Sequence, residues 1–352
     1  MPEVVLEGIK KIYGKNVIAS SIDYLKIEDG EFFVLLGPSG CGKTTTLRIV
    51  AGLVKPNEGK VYVGGKDITD LPPEKRNITM VFQNFALFPH LNVYENIAYG
   101  LRTRKLPKDV IEQRVRDAAR LMRIENLLDR RIDQLSGGQQ QRVGVARAIA
   151  PHPDIILFDE PLSNLDAKLR EEVRFELKEV HRKIGTTAIY VTHDQAEAMV
   201  MADRIAVMRS GKIVQIGTPK EIYFKPKNLF VAGFIGIMSQ VPVEVLERDG
   251  ESLKVKLKSG EVLNAKGEVD RGREAFMIVR PESVEVLPPD SEEVSNVVQG
   301  KLLRSIFLGS EIEYRVEIGG VEVRVKIKPH EDKYKPGDMV KIKLNPSWVV
   351  EE

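Results

Sequence analysis

GPSGCGKTT, at residues 37–45, is the stretch that determines how the rest of the chain folds. It follows a nearly continuous apolar run at residues 32–36 and precedes a segment at residues 46–51 that can continue as a helix. Its glycines allow the backbone to curl so that successive N–H groups point inward, and a helix start adds the positive end of its dipole. Strand, glycine-rich turn and helix in this order predict a cradle for phosphate.

Two side chains at the end of this loop have the chemistry that nucleotide phosphates require. Lys43 can reach the β- and γ-phosphates, and the hydroxyl of Thr44 can bind the Mg²⁺ ion that bridges them. A glycine-rich turn without a ligand is the alternative, but the complete G-x-x-x-x-G-K-T pattern between a strand and a helix favours the nucleotide site. We therefore predict phosphate contacts from the whole loop: Gly37, Pro38, Ser39, Gly40, Cys41, Gly42, Lys43, Thr44 and Thr45.

Cys41 is the only cysteine of the chain, and it lies inside the predicted cradle. The positive potential of such a loop would lower the pKa of a thiol there, so that alkylation would block the activity of the site. An inert small residue is the alternative. A single cysteine also excludes an internal disulfide and fits a reducing compartment.

Length, charge and hydropathy exclude several kinds of protein. A chain of 352 residues is long for one core, and two or three domains are expected. The 53 lysines and arginines nearly balance the 51 aspartates and glutamates, so no global field draws the chain to nucleic acid or anionic lipid. No apolar run reaches the roughly 18 residues of a membrane span, and residues 1–11 lack the basic start and apolar centre of a signal peptide. We expect a soluble, cytoplasmic protein.

A second apolar run, IILF at residues 155–158, ends in Asp159 and Glu160. The run predicts a buried parallel strand, and two acids at its carboxyl end are costly unless they serve a ligand. An apolar strand followed by acids also occurs by chance. With a phosphate loop upstream, the pattern predicts the site that holds Mg²⁺ and water.

Gln83 and His193 also stand where predicted strands end, at residues 77–82 and 187–191. His193 would lie at the same edge of the sheet as Asp159. A lone histidine is usually structural, but one beside a nucleotide site favours a functional role.

Tyr13 is the first residue of a predicted turn, residues 13–16. The turn joins two predicted strands of a small antiparallel sheet at residues 4–9 and 21–27. An aromatic ring there could stack on a nucleotide base. Core or surface packing explains Tyr13 equally well when it is taken alone.

LSGGQQQR at residues 135–142 predicts a helix start. Ser136 is a natural N-cap, and the two glycines after it leave the amides at the helix start open to an anion. A plain capped helix start would explain these residues equally well in isolation.

The sequence pattern of the chain changes near residue 225. Upstream, strands alternate with helices, and residues 92–128 form a charged helical insert. Downstream, short alternating strands separated by Gly, Pro and Asp turns predict an all-β barrel or sandwich. Residues 241–352 hold 18 basic and 22 acidic residues and only five aromatics, which argues against nucleic-acid binding.

The motifs occur in one order: the phosphate loop, Gln83, LSGGQ at 135–139, IILFDE at 155–160, SNLD at 163–166 and His193. Together they resemble the ATP-binding subunits of ABC transporters. The chain is similar above all to the importer subgroup typified by the maltose transporter ATPase, in QNFALFPHL at 83–91, DEPLSNLDAKLR at 159–170 and VTHDQAEAM at 191–199. VRPESVEV at 279–286 and LGSEIEYRV at 308–316 are similar to segments of the C-terminal, often regulatory β domain of that subgroup.

This resemblance implies an α/β P-loop NTPase fold with a RecA-like core, an antiparallel β subdomain and a helical subdomain at about residues 88–150. A small all-β, OB-like domain follows. The expected limits are 1–224 for the nucleotide-binding domain, 225–240 for a linker and 241–352 for the β domain.

The resemblance also implies a role for each residue at the ATP site. Tyr13 would stack on adenine, and Lys43 with the loop amides would hold the phosphates. Thr44, Gln83 and, through water, Asp159 would complete the Mg²⁺ shell.

Glu160 would be the general base or would position the attacking water, and His193 would contact the γ-phosphate. In a head-to-tail dimer, the other subunit would complete the site with its own helix start, and Asp166 would lie near the shared seam. The residues of that helix start are Ser136, Gly137, Gly138 and Gln139.

The implied function is the ATP-hydrolysing subunit of an importer, working as a homodimer or with a close relative. Its partners would be a transmembrane permease, which holds it at the inner face of the membrane, and indirectly an extracytoplasmic solute-binding protein. Residues 83–101 and the helical insert would receive the permease. A sugar or oligosaccharide is the expected solute; molybdate, sulfate, iron, polyamines and phosphonates are alternatives.

Two other classes are less favoured. A soluble ABC-type ATPase of DNA repair or translation usually carries a long coiled coil or two cassettes in one chain, and neither pattern is present. A regulatory module that seldom hydrolyses ATP tends to lose the groups found here as Glu160 and His193.

Overall fold

The computed structural model describes residues 2–14 and 17–351, so Lys15 and Asn16 of the predicted turn lie outside the described residues. The chain divides into two compact units, Met1–Pro219 and Lys220–Glu352. The division falls five residues before the predicted domain limit at 224. The predicted linker, residues 225–240, contains a helix and the start of a strand.

The first unit contains two sheets. Their strands are β1 Val4–Tyr13, β2 Val17–Ile27, β3 Phe32–Leu36, β4 Glu58–Val63, β5 Lys66–Asp67, β6 Ile78–Val81, β7 Ile155–Asp159, β8 Thr187–Thr192, β9 Arg204–Arg209 and β10 Lys212–Gly217. A four-stranded antiparallel sheet has the order β2-β1-β4-β5, and a six-stranded sheet has the order β10-β9-β3-β8-β7-β6.

The middle of the six-stranded sheet is parallel and buried on both faces. All residues of β3, β7 and β8 are buried, as expected of apolar, β-branched strands covered by helices. In the register, Leu36 pairs with Thr192, and Asp159 pairs with Val191. Because parallel strands end at the same edge, the residues that follow β3, β6, β7 and β8 come together there.

Helices cover this sheet and form a separate group between β6 and β7. They are α1 Lys43–Val50, α2 Val93–Thr103, α3 Lys108–Leu121, α4 Gly137–Ile149, α5 Ala167–Ile184 and α6 Gln195–Met201, with short 3₁₀ turns at Pro73–Lys75, Glu125–Leu127 and Ile132–Gln134. Side-chain caps fix several starts: Asn92 accepts from the Glu95 N–H before α2, and Asp194 accepts from two N–H groups before α6. Gly185, with φ 70°, ends α5.

The second unit is a β structure preceded by two short helices, α7 Pro219–Phe224, which begins at the boundary residue, and α8 Leu229–Phe234. Its strands are β11 Ser239–Asp249, β12 Ser252–Leu257, β13 Val262–Gly267, β14 Glu274–Val279, β15 Val284–Leu287, β16 Val297–Phe307, β17 Ile312–Ile318, β18 Val321–Ile327, β19 Met339–Leu344 and β20 Trp348–Val350, with 3₁₀ turns at Pro281–Ser283 and Pro329–Glu331.

Five of these strands close a barrel, β11-β12-β13-β20-β14, and five form a sheet, β15-β19-β16-β17-β18. Strict alternation of exposed and buried residues in β12 and β13 supplies one wall of the barrel core. The predicted fold class, an α/β domain with an antiparallel sheet and a helical group followed by an all-β domain, is confirmed. Across residues 2–14 and 17–351, no helix combines the length and the apolar character that crossing a membrane requires.

Candidate active site

The phosphate loop packs so closely against two strands that two of its glycines, Gly37 and Gly42, have no room for a side chain. Gly42, the N-cap of α1, has φ 104°, and a Cβ there would lie 2.0 Å from the carbonyl oxygen of Ala19. A Cβ at Gly37 would lie 2.5 Å from the carbonyl oxygen of Met208. The loop therefore keeps its curled form because of these contacts and leads directly into the start of α1.

Lys43 is folded over the loop, and its side chain is only 4% exposed. Its Nζ donates to the carbonyl oxygens of Gly37 at 2.8 Å and Pro38 at 3.0 Å. Phosphate oxygens accept stronger, charge-assisted hydrogen bonds than carbonyl oxygens do. A bound nucleotide can therefore replace the two loop carbonyls as the acceptor of the Lys43 hydrogen bonds. Pro38, Ser39 and Gly40 form the exposed crest, whereas Thr44 and Thr45 are half-buried at the start of α1.

Thr44 and Asp159 meet at the end of β7. The hydroxyl of Thr44 donates to Oδ1 of Asp159 at 2.9 Å, and an Nη of Arg48 lies 3.9 Å from Oδ2. Burial raises the pKa of the Asp159 carboxyl, and the Thr44 hydrogen bond opposes that rise.

The oxygen atoms of Thr44 and Asp159 fit a magnesium ion, which prefers oxygen ligands and keeps several waters. Residues 2–14 and 17–351 hold no cluster of three or more His, Cys, Asp or Glu side chains that could hold a metal. Protein oxygens from one hydroxyl and one carboxylate match the pattern of a site in which substrate phosphates and water supply the other ligands.

Glu160 and His193 come from adjacent strand ends and contact each other. Oε2 of Glu160 lies 3.0 Å from Nδ1 of His193, whose ring is about half exposed. Glu160 has φ 46°, and its N–H donates to the carbonyl oxygen of Val191 at 3.1 Å. A non-glycine residue at positive φ is strained, and such strain is typical of residues aimed into a functional site.

Gln83 follows β6 and is exposed at the same sheet edge. Its main-chain carbonyl accepts a hydrogen bond from Nδ2 of Asn164 at 3.1 Å. Sequence reasoning singled out Asp166 in that segment and missed Asn164, although the short polar run around it is a recognisable signal.

The helix start at Ser136 is a complete capping box. The Ser136 hydroxyl accepts from the Gln139 N–H at 3.4 Å, and the Gln139 side chain accepts from the Ser136 N–H at 3.0 Å. Gly137 is exposed, and a Cβ at Gly138 would lie 2.9 Å from a methyl carbon of Leu169. Within the described parts of the chain, no hydrogen bond joins this helix start to the phosphate loop.

Two other predicted residues lie at the ends of their elements. Asp166 is the N-cap of α5, where Oδ1 accepts from the Leu169 N–H at 3.0 Å. Tyr13 ends β1 with 45% of its surface exposed, and Nζ of Lys11 lies 5.2 Å from its ring centroid. An exposed ring at this position is available for stacking.

The predicted low pKa of Cys41 is wrong. The side chain is 4% exposed and belongs to the apolar core under the antiparallel sheet. Burial raises the pKa of the thiol, and the nearby Lys43 ammonium lowers it by less. The backbone N–H groups of Cys41 and Lys43 also lower the pKa of the thiol, and Nζ of Lys43 lies 4.0 Å from the sulfur, but burial outweighs these contributions.

Arg147 on α4 is a second residue that sequence reasoning missed. Its guanidinium donates to the carbonyl oxygens of Phe85 at 2.7 Å and Ala86 at 2.8 Å. Both of these residues have positive φ, 58° and 44°. Because they follow Gln83 by two and three residues, Arg147 fixes the segment after Gln83 to the helix that Ser136 caps.

Comparison with known proteins gives two family matches. The family described as ABC transporter matches residues 22–163, and the TOBE domain matches residues 277–350.

The spermidine/putrescine import ATP-binding protein PotA of Haemophilus influenzae is 42% identical over 358 residues, covering 99% of this chain and 96% of its own length. The sn-glycerol-3-phosphate import ATP-binding protein UgpC of Cupriavidus necator is 46% identical over 340 residues, covering 94% of this chain and 92% of its own.

Solved structures match about three fifths of the chain. The ATP-binding cassette MJ0796, in a dimeric post-hydrolysis state bound to ADP and Pi, is 34% identical, covers 61% of this chain and 98% of its own, and gives a TM-score of 0.55. The cbiO1 protein of Clostridium perfringens, part of the ABC transporter complex cbiONQ, is 31% identical, covers 62% of this chain and 89% of its own, and gives a TM-score of 0.58. The phosphate loop, its Asp159 partner and relatives that align along nearly the whole chain lead to one conclusion: this protein belongs to the ABC transporter family and is one of its ATP-binding subunits, an ATPase.

Proposed function

We propose that this chain hydrolyses ATP at the edge formed by β3, β7 and β8 to drive solute import through a membrane permease. The observation that carries the proposal is the pair of contacts at that edge, Thr44 to Asp159 at 2.9 Å and Glu160 to His193 at 3.0 Å. Because Asp159 and Glu160 are consecutive residues, these contacts support a metal-binding pair next to a carboxylate–imidazole pair, beside one phosphate loop.

Thr44, Asp159 and Gln83 would hold Mg²⁺, which neutralises phosphate charge when bound. Lys43 and the N–H groups at the start of α1 bind the β- and γ-phosphates, and the exposed ring of Tyr13 stacks on adenine. Each of these groups acts by positioning, which is most of what phosphoryl transfer requires from a protein.

Glu160 accepts a proton from the attacking water or orients it in line with the γ-phosphate. As an imidazolium, with both ring nitrogens protonated, His193 donates to the carboxylate through Nδ1 and to the γ-phosphate through Nε2. The strained backbone of Glu160 and its N–H bond to β8 fix the direction of the carboxylate.

The second half of the site comes from another subunit. Ser136 and the amides of Gly137 and Gly138 form an open, capped helix start that suits an anion, and Gln139 completes the cap. Two dimeric structures of a cassette more than 30% identical to this chain support assembly as a dimer, and the head-to-tail arrangement is part of the proposal. Asp166 caps α5 and lies near the shared seam in this arrangement.

The permease partner places the protein at the inner face of a membrane, with an extracytoplasmic binding protein as an indirect partner. The word import in the names of the relatives supports uptake as the direction of transport. Their names divide between spermidine/putrescine and sn-glycerol-3-phosphate. The sugar or oligosaccharide expected from sequence stays a prediction, and polyamine, one of its alternatives, is supported by several relatives.

The test of the catalytic assignment is Glu160→Gln. We expect ATP binding to persist and steady-state phosphate release to fall by at least about 100-fold, because a positioned base contributes about 10² to 10⁴ in rate. The matched control, Glu179→Gln, makes the same chemical change at an exposed position of α5 and should hydrolyse at the wild-type rate. Hydrolysis by Glu160→Gln at that rate would refute the assignment.

The test of the transport assignment is purification of the tagged chain from native membranes, followed by mass spectrometry. Co-purifying polytopic permease subunits support import, and the ligand of the accompanying binding protein identifies the solute. Recovery with ribosomes or DNA instead would leave the ATPase assignment standing and reject the transport role.

A further inference from the structure

The second unit contains a cavity of about 560 Å³ that the proposed function does not use. This volume is within the range of small-molecule sites, about 300 to 1,000 Å³. Tyr223 of α7, Arg280 after β14 and Trp348 of β20 lie along its wall. Trp348 is the only tryptophan in the sequence, so the cavity carries its own spectroscopic reporter.

Arg280 is a buried cation with spare hydrogen-bond donors. It is 5% exposed, and the hydrogen bonds of its two Nη groups are long: Nη1 donates to the Ile237 carbonyl at 3.3 Å and Nη2 to the Tyr223 carbonyl at 3.4 Å. Its Nε is buried and has no hydrogen-bond partner among the described residues. A guanidinium has five N–H donors, so most of them are not used by these bonds.

No carboxylate of the described residues forms an ion pair with Arg280. Glu282 lines the same cavity but accepts a hydrogen bond from the Tyr223 hydroxyl, and the Tyr223 ring lies 4.4 Å from the guanidinium. Burial lowers the pKa of Arg280, and the more distant charge of Glu282 only partly opposes this. A buried guanidinium of this kind is stabilised by an anion that reaches it.

The other charged side chains around the cavity indicate how many negative charges a bound anion carries. Lys225 forms an ion pair with Glu251 at 2.6 Å, and Lys266 also lines the cavity. Three cationic side chains and two carboxylates therefore surround the space, so one negative charge on a ligand balances it. An anion with several negative charges would be repelled by the carboxylates of Glu251 and Glu282.

The apolar wall indicates the rest of the ligand. Trp348 and Ile278 are directly opposite each other in the pairing of β14 with β20 and form one face of the cavity. The indole ring is a large flat surface, on which a ring or short hydrocarbon packs well.

We propose that this cavity is a binding site for a small organic monocarboxylate, whose carboxylate pairs with Arg280 and whose apolar body lies on Trp348 and Ile278. The planar fork of a guanidinium matches a carboxylate in two parallel hydrogen bonds. None of the residues that line this cavity belongs to the ATP site, and the proposal does not depend on the proposed transport function.

The experiment is a titration of the full-length chain with benzoate, phenylacetate and cyclohexanecarboxylate, followed by Trp348 fluorescence. At least one acid should give a saturable change, and its neutral amide should bind at least about tenfold more weakly, because hydrogen bonds to charged groups are worth about 1.5 to 3 kcal/mol. Calorimetry of the same mixtures detects a ligand that binds without altering the emission.

Arg280→Lys keeps the charge but removes the fork, and we expect it to weaken binding of the acid by about tenfold or more. Arg273→Lys, at an exposed position seven residues upstream, is the matched control and should bind like the wild type. If Arg280→Lys does not fold, the comparison of acid with amide on the wild-type chain still tests whether the cavity binds the carboxylate. No saturable binding of any of the three acids, or equal binding of acid and amide, overturns the proposal.

Discussion

Gly42 shows how closely the phosphate loop depends on single atoms. Alanine there would meet both a positive φ of 104° and a carbonyl oxygen 2.0 Å away, whereas alanine at Gly40 would meet only the positive φ of 78°. We expect Gly40→Ala to lower the free energy of unfolding by about 1 to 2 kcal/mol. Gly42→Ala should lower it by about 3 kcal/mol or more, because overpacking adds to the strain.

Thermal unfolding of the two variants without nucleotide measures this difference, and each is the control for the other. Equal destabilisation would mean that backbone conformation alone, and not the contact with Ala19, requires glycine at position 42.

Glu197 gives a prediction on pH at the same scale. It is 3% exposed, and one of its oxygens accepts from the hydroxyls of Tyr190 at 2.8 Å and Thr192 at 2.7 Å. Burial raises the pKa of Glu197 above its ordinary value of 4.5, so the folded state holds the proton more tightly than the unfolded state. As the pH rises from 4.5 through the raised pKa, this group therefore costs the folded state stability.

Glu197→Gln removes the titration but keeps an acceptor for both hydroxyls. We expect the melting temperature of the variant relative to the wild type to increase between pH 4.5 and pH 7.5. Melting curves of both proteins across this range provide the measurement. A difference that stays constant with pH would show that the pKa of Glu197 is the same in the folded and unfolded chain.

At the scale of elements, Arg147 links two parts of the site. It holds the carbonyls of Phe85 and Ala86, next to Gln83, while its own helix α4 begins at Ser136. We expect Arg147→Ala to reduce the rate of ATP hydrolysis by about tenfold or more, because a displacement of about 1 Å at a positioned group can cost about 10² in rate. Steady-state phosphate release at saturating ATP is the measurement.

A second variant separates positioning from simple loss of a contact. Ala86 has φ 44°, a conformation that glycine adopts without strain, so Arg147→Ala combined with Ala86→Gly should recover part of the lost rate. Arg116→Ala removes an exposed ion pair on α3 and should be nearly neutral. No recovery in the double variant would contradict a role for Arg147 in holding the strained segment.

The elements themselves were largely predictable, because strands such as β7 and β8 are apolar runs with clear ends and helices such as α2 begin at natural caps. The meeting of Asp159, Glu160 and His193 at one edge followed from parallel strand order alone. The inward direction of Cys41 and the reach of Arg147 across to Phe85 were not predictable. Both depend on side-chain direction in three dimensions, which a motif does not encode.

At the scale of the whole molecule, each unit carries a different kind of site. The first has the ATP site, whose groups come from a parallel sheet edge, and the second has a barrel and a cavity lined by apolar and charged side chains, among them the buried guanidinium of Arg280. The names of the relatives describe the cargo of their own transporters, whereas the groups assigned to the ATP site serve the nucleotide, Mg²⁺ and water. Identity of 42% along 99% of the chain therefore fixes the family more firmly than it fixes the solute.

Assembly of two chains can be tested through Ser136, which is exposed and caps α4. Aspartate and asparagine cap helices about as well as serine, so Ser136→Asp and Ser136→Asn should both fold and bind ATP like the parent chain. Only Ser136→Asp places a negative charge where the γ-phosphate of the partner's ATP would lie. In a Glu160→Gln background, we expect ATP to drive dimerisation of the Ser136→Asn variant but not of the Ser136→Asp variant. Light scattering with and without ATP makes the measurement, and ATP-driven dimers of both variants would show that this helix start does not face a phosphate in the assembly.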